Sequence, residues 1–413
     1  MIRVFTAFSG YDSQCMALDR LTQDFPQFGY ELVGWSEIDR HAIKAHDAVY
    51  PQWSGRNYGD ISKIDWSQVP DFDLFTYSFP CQSVSSAGKQ HGLSKGSGTR
   101  SSLLWECERA IAIKKPMYLL MENVSALLQA QFLPDFHKWQ ELLSGLGYNN
   151  HVAVLNAKDF GIPQNRERVF MVSVLSDEPY YFPDGFPLEE CLRDVMEEDV
   201  DESYFLSEKQ VHTIVSHCER KVAEGCGFKV NFQTPDGISG TVLTRIGSRA
   251  CDTFLKLEPR VMQVGNLVEE SNFSNPQRGR VYSASGLAPA CCANSGGNLE
   301  PKVMMSVNPS GRKLEFKGTD SIKPVSPTLR ATDYKCPPVV YKGYCIRKLT
   351  PRECFRLMDV SESDIDRISA SGISRSQQYK LAGNSIVVAC LYHIFRTLFI
   401  DTKPQKLTQL QLF

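Results

Sequence analysis

What is scarce in this 413-residue chain narrows the reading first. No apolar run approaches the roughly 20 residues that cross a bilayer, and Met1-Ile2-Arg3-Val4-Phe5 opens as a strand, not as a charged-then-apolar leader. A soluble, cytoplasmic protein is therefore expected. No C-x-x-C pair occurs among the 13 cysteines, and their number is odd, which argues against a disulfide scaffold and for reduced thiols. Cys291 and Cys292 are adjacent, where a bridge would be strained, so they read as packing. His212, His217, Cys218 and Cys226 have a loose metal-like spacing but lie in a polar helical stretch without a second cysteine pair, so no metal is expected. The extended glycine-rich loop of dinucleotide-binding folds is missing too, which weighs against a Rossmann-type thiol oxidoreductase.

Charge of one sign is also lacking: the net of −2 excludes a uniformly basic coat for nucleic acid. The distribution is uneven, however. Residues 176–225 hold 14 acidic against 4 basic side chains, whereas residues 301–350 hold 10 basic against 3 acidic, the sign that meets phosphates.

Up to about residue 175, short apolar runs alternate with helix-period stretches, the pattern of βα units around a mostly parallel sheet. Strands are expected at 2–8, 31–35, 73–77, 118–121 and 169–174, with amphipathic helices at 14–25 and 103–113. From about 190 to 345 the texture turns to Gly, Pro, Ser and Asn around short β-rich pieces, indicating a second, irregular domain. Three similar six-residue segments, at 237–242, 286–291 and 324–329, are either an internal repeat or coincident turns. Residues 381–399 return to an apolar helical pattern and are expected to rejoin the first domain.

Chemistry gathers at the expected strand ends. Phe8-Ser9-Gly10 closes the first strand, where Gly10 permits a tight turn beside a ligand. Glu37 follows the second strand at the distance that suits ribose hydroxyls, and Asp60-Ile61 follows Gly59 at a third junction. Each alone reads equally well as a surface cap or turn. The next strand runs into Pro80-Cys81-Gln82, and the one after it ends in Glu122-Asn123-Val124, so a thiol and a carboxyl group face one crevice if the strands are neighbours. That pair suits methylation of cytosine at C5. Attack of a thiolate on C6 makes C5 an enamine carbon, and an acid at N3 absorbs the negative charge that develops. The base that removes the C5 proton is not identified by the sequence.

Taken together, Phe8-Ser9-Gly10, Glu37, Asp60-Ile61, Pro80-Cys81-Gln82, Glu122-Asn123-Val124, Gln164-Asn165-Arg166-Glu167-Arg168, the stretch 347–358 and Gly383-Asn384-Ser385 resemble the ordered motifs of the DNA (cytosine-5)-methyltransferase family. The resemblance implies a Rossmann-like class I methyltransferase α/β fold with a mixed sheet and a second, smaller β-rich target-recognition domain. It divides the chain into a catalytic domain at 1–190 and 376–413, with target recognition and a hinge at 191–375. It implies S-adenosyl-L-methionine as cofactor, held by Phe8, Gly10, Tyr11, Glu37, Ile38, Asp60, Ile61, Pro80, Asn384 and Ser385. Catalysis falls to Cys81 as nucleophile and Glu122 as acid, with Arg168 on cytosine O2 and Arg166 positioning the thiol loop.

The Ser-, Gly- and Lys-rich stretch 83–98 reads as a loop that closes over DNA, with Ser85, Lys89 and Gln90 as contacts. Arg245, Arg249, Arg278, Arg280, Thr328 and Arg330 are further candidate contacts by position and chemistry. The implied partner is double-stranded DNA, with the target base rotated out of the stack. A monomer is expected, and a cognate restriction endonuclease is a companion such an enzyme can have. Two positions depart from the family pattern: Asp12 and Ser13 stand where glycines are common, and Ile38 where an aromatic residue is. An RNA cytosine-5 methyltransferase is the nearest rival, disfavoured by the long second domain. A DNA-binding regulator without catalysis is disfavoured by intact Cys81, Glu122 and Arg168.

Overall fold

A computed structural model describes residues 1–80, 95, 100–206, 208–224, 230–244, 252–257, 263–266, 280–283, 302–304 and 345–401. The first part of the chain alternates as expected: β1 (Ile2–Ala7), α1 (Ser13–Asp24), β2 (Tyr30–Ser36), α2 (Arg40–Val49), β3 (Leu74–Tyr77), α3 (Glu106–Lys114), β4 (Tyr118–Val124), α4 (Leu133–Gly145), β5 (Asn149–Asn156) and β6 (Glu167–Val174). These strands form one sheet in the order β2-β1-β3-β4-β6-β5, and only β6 runs against the others. The class is α/β with a mixed sheet.

Central β3 reads Leu-Phe-Thr-Tyr and is buried throughout, as a parallel strand covered on both faces must be. Its aromatic side chains join Phe5, Trp66, Phe72 and Trp139 in a continuous core, each large apolar side chain contributing about 1.5–3 kcal/mol on burial. Strand β5 was not foreseen. It reads Asn-Asn-His-Val-Ala-Val-Leu-Asn, lies at the sheet edge and leaves Val152 and Val154 partly exposed, so its apolar signal is weak.

The chain divides into two compact units at boundaries that differ from those expected. One comprises Met1–Asp199, Phe228–Thr253 and Leu349–Phe413; the other comprises Val200–Gly227 and Phe254–Lys348. Residues 349–375 thus lie in the first unit, because Cys354, Phe355, Leu357, Met358, Ile365 and Ile368 are buried in it. That unit also contains α5 (Leu192–Val195) and a short strand, β7 (Asn231–Gln233). The second unit holds α6 (Glu208–Ala223), the short strand β8 (Thr253–Leu257) from its second residue on, and β9 (Gln263–Asn266), β10 (Arg280–Ser283), β11 (Lys302–Met304) and β12 (Cys345–Lys348). There β10 pairs antiparallel with β9 and parallel with β11, and β12 pairs antiparallel with β8.

The first unit closes with α7 (Pro351–Arg356), α8 (Glu362–Ala370), α9 (Arg375–Asn384) and α10 (Val388–Phe399). Thr350 and Glu353 form a reciprocal capping box at the start of α7. Contrary to the sequence expectation, Arg375–Phe399 is by length and composition apolar enough to cross a membrane. In the fold, however, the helix breaks at 385–387, and Leu391, Ile394 and Phe395 are fully buried.

Candidate active site

The strand order fixes where a ligand can sit. The chain leaves β1 to one side to form β2 and returns on the other side as β3, so a crevice opens beyond the carboxyl ends of β1 and β3. The register aligns Ala7 with Tyr77 and Tyr77 with Met121, which brings Phe8, Ser78 and Glu122 to the rim as the next residues along. The loop after β1 is unusual in placing Phe8 (φ 55°), Gly10 (φ 60°) and Asp12 (φ 70°) in the left-handed region. It is tied to the neighbouring strand end: Ser9 N–H donates to the Ser36 carbonyl and Gly10 N–H to Glu37 Oε2 at 3.1 Å. Glu37 Oε1 accepts from the N–H groups of Ile38 and Asp39, so this carboxylate is held by three backbone donors.

The other expected cofactor residues occupy varied settings. Ile38 is 71% exposed and Asn384 is exposed, whereas Ile61 is buried. Asp60 caps the turn at Ile61–Lys63, and hydrogen bonds from the Ser62 hydroxyl and N–H hold its carboxyl below the usual range. Tyr11 points into the core, its ring edge-on to Phe355 at 5.7 Å, and burial pushes its hydroxyl pKa far up. Ser385 Oγ lies 2.9 Å from Ser13 Oγ.

Glu122, only 6% exposed, is the best-organised reactive group in the crevice. Ser78 Oγ donates to its Oε2, and Arg168 Nε lies 3.2 Å from its Oε1. Arg168 reaches it because β6 is antiparallel to β4: Phe170 stands opposite Glu122, and Arg168 is the diagonal neighbour two residues away. Arg168 Nη1 donates to the Glu167 carbonyl. The segment leading to the expected nucleophile is pinned at both carbonyls: Asn123 Nδ2 donates to Phe79 O at 2.9 Å and Ser101 Oγ to Pro80 O at 2.6 Å. Ser78, Asn123 and Ser101 were not singled out from the sequence. Ser78 and Asn123 adjoin the expected catalytic residues at the two strand ends, which is the signal that could have found them.

Cys81, Ser85, Lys89 and Gln90 lie outside the described residues, as do Arg245, Arg249, Arg278, Thr328 and Arg330. Arg280 is the first residue of β10. Cys15, Cys107, Cys191, Cys218, Cys354 and Cys390 are free. Burial drives the thiols of Cys15, Cys107 and Cys354 well above the ordinary range and that of Cys390 to about 12, which makes them poor nucleophiles. Among the described residues no cluster of side chains could hold a metal.

Gln164 and Arg166 form a buried clasp. Gln164 Oε1 accepts from Val242 N–H and its Nε2 donates to the Leu357 carbonyl at 2.6 Å. Arg166 is 3% exposed and donates to the carbonyls of Val242, Gly383 and Ser385 at 2.7–3.0 Å. These carbonyls are among its partners, and the thiol loop that the sequence reading gave it lies outside the described residues. The first of the three similar segments, 237–242, lies along this clasp, with Ser239 bridged to Gln164; the other two fall outside the described residues.

The clasp also explains a glycine. A Cβ at Gly383 would stand 2.5 Å from the backbone of Leu243 and Thr244, which cannot yield as a flexible side chain would. Gly383→Ala is expected to cost about 1–3 kcal/mol in urea unfolding. Wild-type stability in that variant would show the close approach to be dispensable.

A family model described as C-5 cytosine-specific DNA methylase matches residues 6–399. The chain belongs to this family. It is therefore a DNA (cytosine-5)-methyltransferase by kinship, and curated relatives are named as methyltransferases. The type II methyltransferase M2.ScrFI of Lactococcus lactis subsp. cremoris is 31% identical over 97% of this chain and 99% of its own length. The orphan methyltransferase M.SPRI of Bacillus phage SPR is 29% identical over 96% and 97%.

Among solved structures, the Entamoeba histolytica methyltransferase EhMeth matches with a TM-score of 0.63 at 15% identity, covering 98% of this chain and 99% of that one. The Dnmt2 methyltransferase of S. pombe matches at 0.57 and 17% identity, covering 96% and 98%. At such identities the likeness concerns the fold. The Glu122–Arg168 ion pair at the rim is weak evidence for stability by itself.

Proposed function

We propose that this methyltransferase moves a methyl group from S-adenosylmethionine to C5 of a cytosine rotated out of duplex DNA, working as a monomer through a covalent bond from Cys81 to C6. The observation that carries the reading is the Glu122 carboxyl group. It is buried at the end of β4 between Ser78 and Arg168, beside the strand end that leads to Cys81.

The loop after β1 suits the cofactor. A Cβ at Gly10 would meet nothing within 4 Å, so the loop borders open space. Ser9 Oγ is buried without a hydrogen-bond partner, and Glu37 is fixed by backbone donors where ribose hydroxyls would lie. When bound, the sulfonium of S-adenosylmethionine supplies an electrophilic methyl group.

The protein's part is then as follows. The Cys81 thiolate adds its electron pair to C6, the C5–C6 double bond shifts, and N3 takes a proton from Glu122. C5 thus gains the nucleophilicity to accept the methyl group. Loss of the C5 proton to a base and expulsion of the Cys81 thiolate restore the ring, with the N3 proton returning to Glu122. Arg168 has a second use here: turning its guanidinium from Glu122 toward cytosine O2 places its positive charge where negative charge accumulates.

Purified protein given labelled S-adenosylmethionine with duplex DNA or with transfer RNA tests the proposal. Label is expected in DNA as 5-methylcytosine at one short sequence. Label confined to RNA, or to another atom of cytosine, overturns it.

A further inference from the structure

Asp12 poses a physical question that the reaction does not answer. It is fully buried, it adopts the left-handed conformation (φ 70°, ψ 59°), and it stands in a turn that glycine would make without strain. A buried carboxylate and a left-handed non-glycine residue each carry a cost, and both persist only where the surroundings over-determine them.

Those surroundings come from three elements. Thr6 of β1 donates its hydroxyl to Asp12 Oδ2 at 2.8 Å, and Cys15 N–H, in the first turn of α1, donates to Oδ1 at 3.2 Å. His46 of α2, itself fully buried, brings Nε2 to 3.6 Å from Oδ2 and Nδ1 to 3.6 Å from Asp47 Oδ1, and neither nitrogen has a hydrogen-bond partner. The His46 ring is stacked on Trp35 with centroids 3.7 Å apart, and Trp35 lies on β2 two residues before Glu37, which holds the N–H of Gly10. The loop at 8–12 is therefore braced at its far end by Asp12 and at its middle by Glu37, and His46 packs against Asp12 and against Trp35 on the strand that leads to Glu37. One residue beyond Asp12, the Ser13 hydroxyl meets that of Ser385.

We propose that Asp12, with Thr6 and His46, is a positioning residue for S-adenosylmethionine. It pre-forms the left-handed loop, so that binding does not bear the cost of ordering it. None of the three is assigned a contact with the ligand. The inference rests on the assignment of this loop to the cofactor.

Calorimetric titration of the full chain with S-adenosylhomocysteine tests it without turnover. Asp12→Gly keeps the backbone conformation accessible and removes the brace. Its Kd is expected to rise about tenfold, with KM for S-adenosylmethionine rising alike and kcat within threefold of wild type. Asp12→Asn, which retains an acceptor toward Cys15, is expected to recover most of the affinity. Thr6→Val, on a strand that favours β-branched residues, removes one donor and is expected to raise Kd about threefold; it carries the test should the glycine variant fold poorly. Unchanged affinity in Asp12→Gly and Thr6→Val, or a loss of stability with affinity intact, overturns the inference alone. A wild-type protein that takes up no S-adenosylhomocysteine overturns the cofactor reading and the inference with it.

Discussion

Alanine at position 81 is expected to abolish methyl transfer, lowering the single-turnover rate by at least about 10⁴-fold while leaving cofactor and DNA affinity within a few-fold of wild type. Such a loss corresponds to roughly 5.5 kcal/mol of transition-state stabilisation. The size follows from the chemistry, not from packing. Cytosine C5 carries too little electron density to attack a methyl group, and only addition at C6 converts it to an enamine carbon. The thiols of Cys15, Cys107, Cys354 and Cys390 cannot substitute easily, since they are buried and hard to ionise.

A second readout separates the covalent step from folding. Duplex DNA carrying 5-fluorocytosine at the target position lacks the C5 proton whose removal frees the enzyme. Wild type is thus expected to give a complex stable to denaturing electrophoresis, and Cys81→Ala none. Turnover of Cys81→Ala within tenfold of wild type would remove the covalent mechanism altogether.

Much of the sheet was legible because its strands carry concentrated signals. Leu74–Tyr77 and Tyr118–Val124 are apolar enough to be recognised as buried parallel strands, and the functional groups follow at their ends, where α/β sheets keep ligands. Strand β5 escaped notice because an edge strand needs only one buried face and spends its other positions on Asn and His. The division between units was harder still. Residues 349–375 are separated from the first unit in sequence by the second, and only their burial against distant helices reveals where they belong.

The site shows the same contrast. Glu37 and Glu122 follow from strand-end logic, which needs only local pattern. The clasp of Gln164 and Arg166 could not be read that way, because its partners at Val242, Leu357, Gly383 and Ser385 lie between 76 and 219 residues away. These contacts are to backbone groups, which carry no sequence signature. Tyr11 illustrates a further limit: a residue inside a loop proposed to hold the cofactor can still turn its side chain to the core, here against Phe355.

Replacing Glu122 by glutamine is expected to lower kcat by about 10²–10⁴-fold, the range in which a positioned general acid contributes. Glutamine keeps the shape of the side chain and can still accept from Ser78, so the loss should fall on proton delivery to N3. Arg168 then faces an uncharged amide, and because its side chain is largely shielded from solvent, a modest loss of stability should accompany the kinetic effect. Ser78→Ala leaves the acid in place and removes one hydrogen bond, so a decrease of only a few-fold is expected there. The order of the two effects is the decisive feature: an acid requires Glu122→Gln to be far worse than Ser78→Ala, whereas a merely structural carboxylate would make the two alike. The rate of adduct formation on 5-fluorocytosine DNA locates the step, because protonation of N3 must accompany thiolate addition and cannot be postponed to methyl transfer. If Glu122→Gln forms that adduct as fast as wild type, the proton comes from elsewhere, and Glu122 serves only to hold Arg168 at the rim of the crevice.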